Sequence, residues 1–352
     1  MIIGRVGFDS IALGDGTVLV VGDDMDCYPG PAEPGSERAE VYEPDNDRWV
    51  GAQSLNKPRK TPATVRLHDG SAMVIGGIND EDVAFSSTKL FNSRARTWSD
   101  GPLLDIARGR PLAATLEDGR VFVTSVVGSD ETSSRMTSEI YDPATHKWSA
   151  AAPLHGPYLD ELLPLTDGRV LGIGSGFEIS LLLEVYDPAD NAWTPIETPP
   201  AAHSRPQFVA LPRGRILAAG GFTETDTGGG PTDKAETYDP GTNRWTAAGS
   251  LKTARADAAT ATLPDGRVIF AGGQTGDDFS GQALAAVEAF HLDTGAWTPM
   301  ADLLQPRYGA EALALADGSV LLLGGYADFN VNGDTPWCPT PITSVERLSP
   351  AP

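Results

Sequence analysis

A module of about fifty residues recurs along the whole chain, and no other feature narrows the possible folds so far. Trp49, Trp98, Trp148, Trp193, Trp245 and Trp297 follow one another at intervals of 45 to 52 residues. A second marker recurs with them: Asp15-Gly16, Asp69-Gly70, Asp118-Gly119, Asp167-Gly168, Arg213-Gly214, Asp265-Gly266 and Asp317-Gly318, each between two short apolar runs. Asp-Gly in that setting predicts a tight hairpin with both central residues at positive φ. A third marker is an acid two residues before an aromatic: Glu40/Tyr42, Glu139/Tyr141, Glu184/Tyr186, Glu236/Tyr238 and Glu288/Phe290. Glu346/Leu348 is a degraded copy, and Lys89/Phe91 replaces the pair in the second module.

Each module reads as four strands. Strand a ends in leucine before the Asp-Gly turn, and strand b is apolar and often ends in Gly-Gly. After a variable loop come strand c, a Tyr-Asp-Pro turn, and strand d with the tryptophan. Such a unit cannot bury both its faces alone, but stacked around an axis it can. The expectation is an all-β, seven-bladed propeller forming one domain over residues 1–352. Its blades run over about 1–50, 51–99, 100–149, 150–194, 195–246, 247–298 and 299–352.

Gly76-Gly77, Gly220-Gly221, Gly272-Gly273 and Gly324-Gly325, followed by the Tyr-Asp-Pro turn and tryptophan, resemble the kelch repeat. Asp187-Pro188 with Trp193 and Asp239-Pro240 with Trp245 are the clearest copies. The resemblance covers essentially the whole chain, though the first, third and fourth modules lack Gly-Gly. It implies that the glycine pair lets neighbouring sheets approach closely, in keeping with the missing Cβ. The wider kelch superfamily includes galactose oxidase, whose copper needs histidines and tyrosines, and cofactor-free sialic acid mutarotases.

The chain supplies seven a–b–c sets but six tryptophan-bearing d strands. Either the last blade has three strands, or residues upstream of Met1 complete it. No secretory signal is read at Met1, so the compartment stays open between the cytoplasm and a location reached by a removed leader.

Strand parity puts the b–c and d–a loops on one rim and the short Asp-Gly and Tyr-Asp-Pro turns on the other. The first rim carries the sequence variation and is the expected binding face. Arg5, Arg59, Arg108, Arg255 and Arg307 each stand ten residues before the turn aspartate, just ahead of strand a. Two readings are open: an anion clamp for carboxylate or phosphate at the channel mouth, or a tie that fixes each blade through loop carbonyls. The module departs from its pattern at Pro157-Tyr158 and His203. With Asp160, Glu161, Arg205, Asp257 and Tyr308 nearby, these form a candidate site. His203, Tyr158, Asp160 and Glu161 are its proton-transfer candidates; the alternative is a polar mouth closed by its own salt links. Asp9 and Glu311 share Glu161's position on strand a.

Of the five histidines, only His155 and His203 fall on that rim, so no copper set is read and no cofactor is expected. Asp23-Asp24-Met25-Asp26 and Asp277-Asp278 lack EF-hand spacing, which leaves calcium as a minor alternative to a solvated loop. Cys27 and Cys338 fall on b–c loops of the first and seventh blades, where ring closure would permit a disulfide across the seam.

With 26 Lys+Arg against 48 Asp+Glu, the net charge of −22 argues against nucleic acid and anionic membrane as partners. A monomer is expected, although an open seventh blade weakens that expectation. Three functions fit: a platform for a protein or glycan using rim aromatics such as Trp337, a cofactor-free enzyme on a small sugar-like or anionic substrate, and strand addition at Thr343–Leu348.

Overall fold

The computed structural model describes residues 8–22, 37–79, 81–127, 135–156, 159–176, 179–201, 203–223, 229–276, 281–327 and 342–349. Six antiparallel sheets of four strands and a last one of three follow each other along the chain. The first blade is Asp9–Ala12, Val18–Val21, Ala39–Glu43 and Arg48–Gly51, hydrogen-bonded in that order. The seventh is Glu311–Ala314, Val320–Leu323 and Val345–Leu348. The fold is a seven-bladed β-propeller whose last blade has three strands.

The innermost strands sit side by side around the axis. They are Asp9–Ala12, Ala63–Arg66, Leu112–Thr115, Glu161–Pro164, Gln207–Ala210, Ala259–Thr262 and Glu311–Ala314, and the first touches the last. Each strand b is sandwiched between neighbouring blades. Val18–Val21, Ala72–Ile75, Ile216–Ala219, Val268–Ala271 and Val320–Leu323 are therefore buried at every position. A sheet covered on both faces needs a continuous apolar run rather than alternation.

Among the described residues the last blade has three strands, and the ring closes on it. Val18, Val20 and Tyr42 of the first blade pack on Leu315, Leu321 and Leu323 of the seventh. Fully burying such a side chain contributes about 1.5–3 kcal/mol. Six of them outweigh the few ladder hydrogen bonds of a missing strand, at about 0.5–1.5 kcal/mol each. Arg347 adds a bond across the seam to the Pro44 carbonyl at 3.0 Å.

The hairpin expectation needs a correction. In the Asp-Gly turns only the glycine takes positive φ: Gly16 (85°), Gly70 (84°), Gly119 (88°), Gly168 (85°), Gly266 (86°) and Gly318 (83°). Gly16 N–H donates to Leu13 O and Leu13 N–H to Thr17 O, so the loop is three residues long, with the glycine in the left-handed region. The aspartate accepts instead: Asp15 takes Thr17 N–H at 3.1 Å. Only Arg213-Gly214 has both residues at positive φ, 66° and 68°.

At the outer edge the strand-c aromatic stacks on the strand-d tryptophan, as in Tyr42–Trp49 (5.2 Å) and Phe290–Trp297 (5.1 Å). The indole N–H then reaches back to the preceding blade: Trp98 to Gln53 O, Trp148 to Pro102 O, Trp193 to Ala152 O, Trp245 to Glu197 O and Trp297 to Ala248 O.

Candidate functional site

The two classes of variable loop do share a rim. Lys60 bridges to Ile78, Ala256 to Gln274 and Tyr308 to Tyr326, each pairing a d–a loop with the b–c loop of the same blade. In the fifth blade His203–Ser204 pairs with Phe222–Thr223, which pairs in turn with Gly230–Pro231.

The repeated arginines face into their blades. Arg59, Arg108 and Arg255 are fully buried and Arg307 nearly so. Arg255 donates to the carbonyls of Gly272 and Ala286, both at 2.7 Å, and to Glu288 at 2.6 Å. Arg108 binds Thr137 O (2.7 Å) and Glu139 (2.9 Å). Arg307 binds the carbonyls of Gly324 (2.9 Å) and Ser344 (3.0 Å). Arg59 binds those of Gly76 and Ser87, and finds Ser87 Oγ in the blade whose glutamate is replaced by Lys89. Burial lowers the pKa of these guanidinium groups, and Glu139, Glu288 and Glu346 oppose that shift for Arg108, Arg255 and Arg307. In these four repeated arginines the guanidinium groups bind carbonyls, hydroxyls and carboxylates of their own blades.

The same loop carries the inter-blade staple. The Arg108, Arg255 and Arg307 carbonyls accept the second Gly-Gly N–H of the preceding blade, at 3.0, 2.9 and 2.9 Å from Gly77, Gly221 and Gly273. A Cβ on Gly220 would stand 2.5 Å from Arg255 O, and one on Gly272 2.2 Å from Arg307 O. The acid before the aromatic completes the motif by accepting d–a loop amides. Glu139 takes Asp105 and Ile106, Glu184 takes His155 and Gly156, and Glu288 takes Lys252 and Thr253. This role escaped the sequence reading, although the joint recurrence of Arg and Glu was its signal. In the fourth blade, which lacks the arginine, His155 Nδ1 meets Glu184 at 2.8 Å.

Of the remaining candidates, Asp257 and Tyr308 lie on adjoining loops, the Asp257 carbonyl accepting the Gly309 N–H at 2.9 Å. The Arg205 guanidinium lies 4.8 Å from the Phe222 ring centre. Asp257 accepts a bond from Gln274 Nε2 at 2.5 Å, and Tyr308 is buried with its ring 5.6 Å from that of Tyr326. Arg5, Tyr158, Trp337, Cys27, Cys338 and both aspartate clusters lie outside the described residues, as does the His203 side chain.

Three carboxyl groups share one level of the innermost strands. Asp9, Glu161 and Glu311 each open a strand a, where Ala63, Leu112, Gln207 and Ala259 stand in the other blades. Desolvation by the surrounding strands pushes Glu161 up to about 7, helped by the charge of Asp160, although the residue stays solvent-accessible. Asp9 and Glu311 are both raised by burial, and Glu311 further by the Asp9 charge. Ser10 Oγ bonds Glu311 across the first–seventh seam, and Asp9 accepts the Thr64 N–H from the second blade at 2.5 Å.

Comparison with known proteins agrees with this architecture. A Kelch motif model matches residues 209–252. Mouse Kelch-like protein 35 is 26% identical over 73% of this chain and 42% of its own length. Xenopus tropicalis Kelch-like protein 25 is 26% identical over 77% of this chain and 44% of its own length. The chain is a kelch-repeat β-propeller. It spans less than half the length of these two relatives.

The propeller also superposes on a solved fungal alcohol oxidase in complex with copper. The TM-score is 0.70 over 99% of this chain and 74% of that one, at 21% identity, which is a likeness of fold alone. Among the described residues no donor set for copper is assembled. Among the described residues no three of His, Cys, Asp and Glu come together, and His155 is engaged with Glu184. Among the described residues no helix is long and apolar enough to cross a membrane.

Proposed function

We propose that this propeller is a protein-binding platform whose contact face is the rim of b–c and d–a loops. One observation carries the reading. Among the described residues the large apolar side chains left exposed are Val83, Leu103, Ile106, Val126 and Leu304, from 38% to 92% accessible. Every one lies on a b–c or d–a connection or at the strand end that leads into one. The opposite rim exposes none; it carries Asp-Gly turns and ion pairs such as Arg120–Asp118 and Arg267–Asp265. Apolar groups gathered on one face, held by a rigid scaffold, support recognition of a protein. The relatives named for kelch repeats favour the same class of function.

The test is capture of binding proteins with wild type, with an Ile106→Asp/Leu304→Asp variant, and with Ala144→Asp on the opposite rim. A partner kept by Ala144→Asp and lost by the double variant supports this face. Equal loss by both variants contradicts it.

A second reading rests on Glu161, an acid raised to about 7 beside Asp160. Such a pair suits proton transfer on a small sugar-like or anionic substrate without a cofactor. Saturation-transfer NMR of small sugars and sugar acids, compared between wild type and Glu161→Gln, tests it. No contact in wild type removes this reading.

A further inference from the structure

One position recurs on the d–a loops, two residues beyond the place of the repeated arginine and just ahead of the innermost strand. Thr61, Arg205, Asp257 and Gly309 hold it in the second, fifth, sixth and seventh blades, all at left-handed φ (45°, 50°, 51° and 59°). The residue before it pairs in each case with the residue after Gly-Gly: Lys60 with Ile78, Ser204 with Phe222, Ala256 with Gln274 and Tyr308 with Tyr326. The four loops are therefore built in one register.

A left-handed φ favours glycine, and a threonine, arginine or aspartate held there carries backbone strain. Each of those three side chains makes a contact. Thr61 Oγ1 donates to Gly109 O at 3.3 Å. In the fifth and sixth blades the side chain lies on the residue that follows Gly-Gly. The Arg205 guanidinium stands 4.8 Å from the Phe222 ring centre, and Asp257 accepts a bond from Gln274 Nε2 at 2.5 Å.

In the seventh blade glycine brings no side chain to this position. A Cβ on Gly309 would stand 3.5 and 3.7 Å from Cδ2 and Cε2 of Tyr326, which holds the place of Phe222. Gly309 is exposed and Tyr326 partly so, and solvent therefore reaches this point. The Gly309 N–H donates to the Asp257 carbonyl at 2.9 Å, so a partly exposed acidic residue adjoins it.

We propose that the point above Gly309 binds an alkyl-guanidinium group, supplied by a free small molecule or by the arginine side chain of a polypeptide. The cation takes the place beside Tyr326 that Arg205 takes beside Phe222, next to Asp257. An aromatic ring attracts a cation through its quadrupole, and the planar, weakly hydrated guanidinium stacks on it better than an ammonium. The net charge of −22 draws cations to the surface and repels anions. The site does not depend on a protein meeting the exposed apolar side chains of the same rim.

The probes are butylguanidine and the peptide acetyl-Gly-Gly-Arg-Gly-Gly-amide, each beside its neutral counterpart, butylurea and the citrulline peptide. Ligand-observed NMR titration at about 0.15 M salt screens the general attraction between exposed charges. Saturable binding is expected of the guanidinium probes and not of the neutral ones. Tyr326→Leu should weaken it about 2- to 30-fold. Asp257→Asn should weaken it too, whereas Asp45→Asn on the opposite rim should leave it unchanged. Gly309→Arg, at a φ close to that of Arg205, fills the point from within and should abolish binding. Tighter binding of the peptide than of butylguanidine assigns the site to an arginine side chain, and equal binding assigns it to a small molecule; both support the proposal. No saturable binding, equal binding of the neutral probes, or equal losses in Asp45→Asn and Asp257→Asn would each overturn it. Should Gly309→Arg fail to fold, full affinity in Tyr326→Leu would still do so.

Discussion

Replacing Arg255 with methionine separates a structural arginine from a ligand clamp. The change keeps much of the aliphatic stem and removes the guanidinium. Lost with it are the bonds to the Gly272 and Ala286 carbonyls and the ion pair with Glu288, which is itself 2% exposed. Glu288 keeps the Lys252 and Thr253 amides but becomes a buried charge without its cation. Removing one partner of such a pair costs about 3–5 kcal/mol. With an unfolding entropy of about 2.1 cal/mol/K per residue, this lowers the Tm by about 4–7 °C for a chain of this length. Urea unfolding followed by tryptophan fluorescence measures the change. Adding Glu288→Gln removes the orphaned charge, so the double variant should be more stable than the sum of the single losses by about 0.5–3 kcal/mol. A Tm change under about 1 °C, or strict additivity, would refute the tie.

Other consequences can be measured on the same protein. Gly220→Ala puts a Cβ 2.5 Å from the Arg255 carbonyl at a φ of 69°, so it should destabilise by at least about 1–3 kcal/mol in the same unfolding assay. Trp148→Phe removes the bond to Pro102 O and should cost about 0.5–1.5 kcal/mol with little change in ring packing. Glu161, raised from 4.5 to about 7, and the raised pair Asp9 and Glu311 bind protons more tightly when folded than unfolded. Their contribution is fully present below the unfolded values and is lost as the pH rises through the folded ones, so Tm should decline from about pH 5 towards pH 8. Glu311→Gln should flatten that decline, and an unchanged profile would contradict the shift. Asp15, Asp167, Asp265 and Asp317 are depressed, chiefly by turn amides and hydroxyls or neighbouring arginines acting against desolvation, so their contribution disappears at the acid end.

The ring was readable because each marker is a local device repeated in every blade. Gly16, Tyr42 and Trp49 do for one blade what Gly266, Phe290 and Trp297 do for another, and the spacing survives wherever the geometry must. The turn type was misread because Asp-Gly fits two loop lengths, and only the extra residue before the aspartate separates them. The arginine roles stayed open because a guanidinium aimed at carbonyls and one aimed at an anion occupy the same sequence position; burial against Glu139 or Glu288 decides. The hub carboxylates were placed correctly on one level of strand a. Their raised pKa values were not readable, since they follow from desolvation by strands remote in sequence. The left-handed residue before strand d was missed as well. Asp47, Asn191 and Asn243 sit there and accept the tyrosine hydroxyls at 2.6, 2.8 and 2.7 Å, a pairing five residues apart that the sequence does display.

Closure of the first blade onto the last is tested most directly by a pulsed electron–electron distance between spin labels at Asp45 and Ser349, with Cys27 and Cys338 replaced by serine. The Arg347–Pro44 bond and the shared apolar seam predict one narrow distribution within about two sheet spacings, near 20 Å or less. A broad distribution, or a mean beyond about 40 Å, would show the ring to be open and contradict the account.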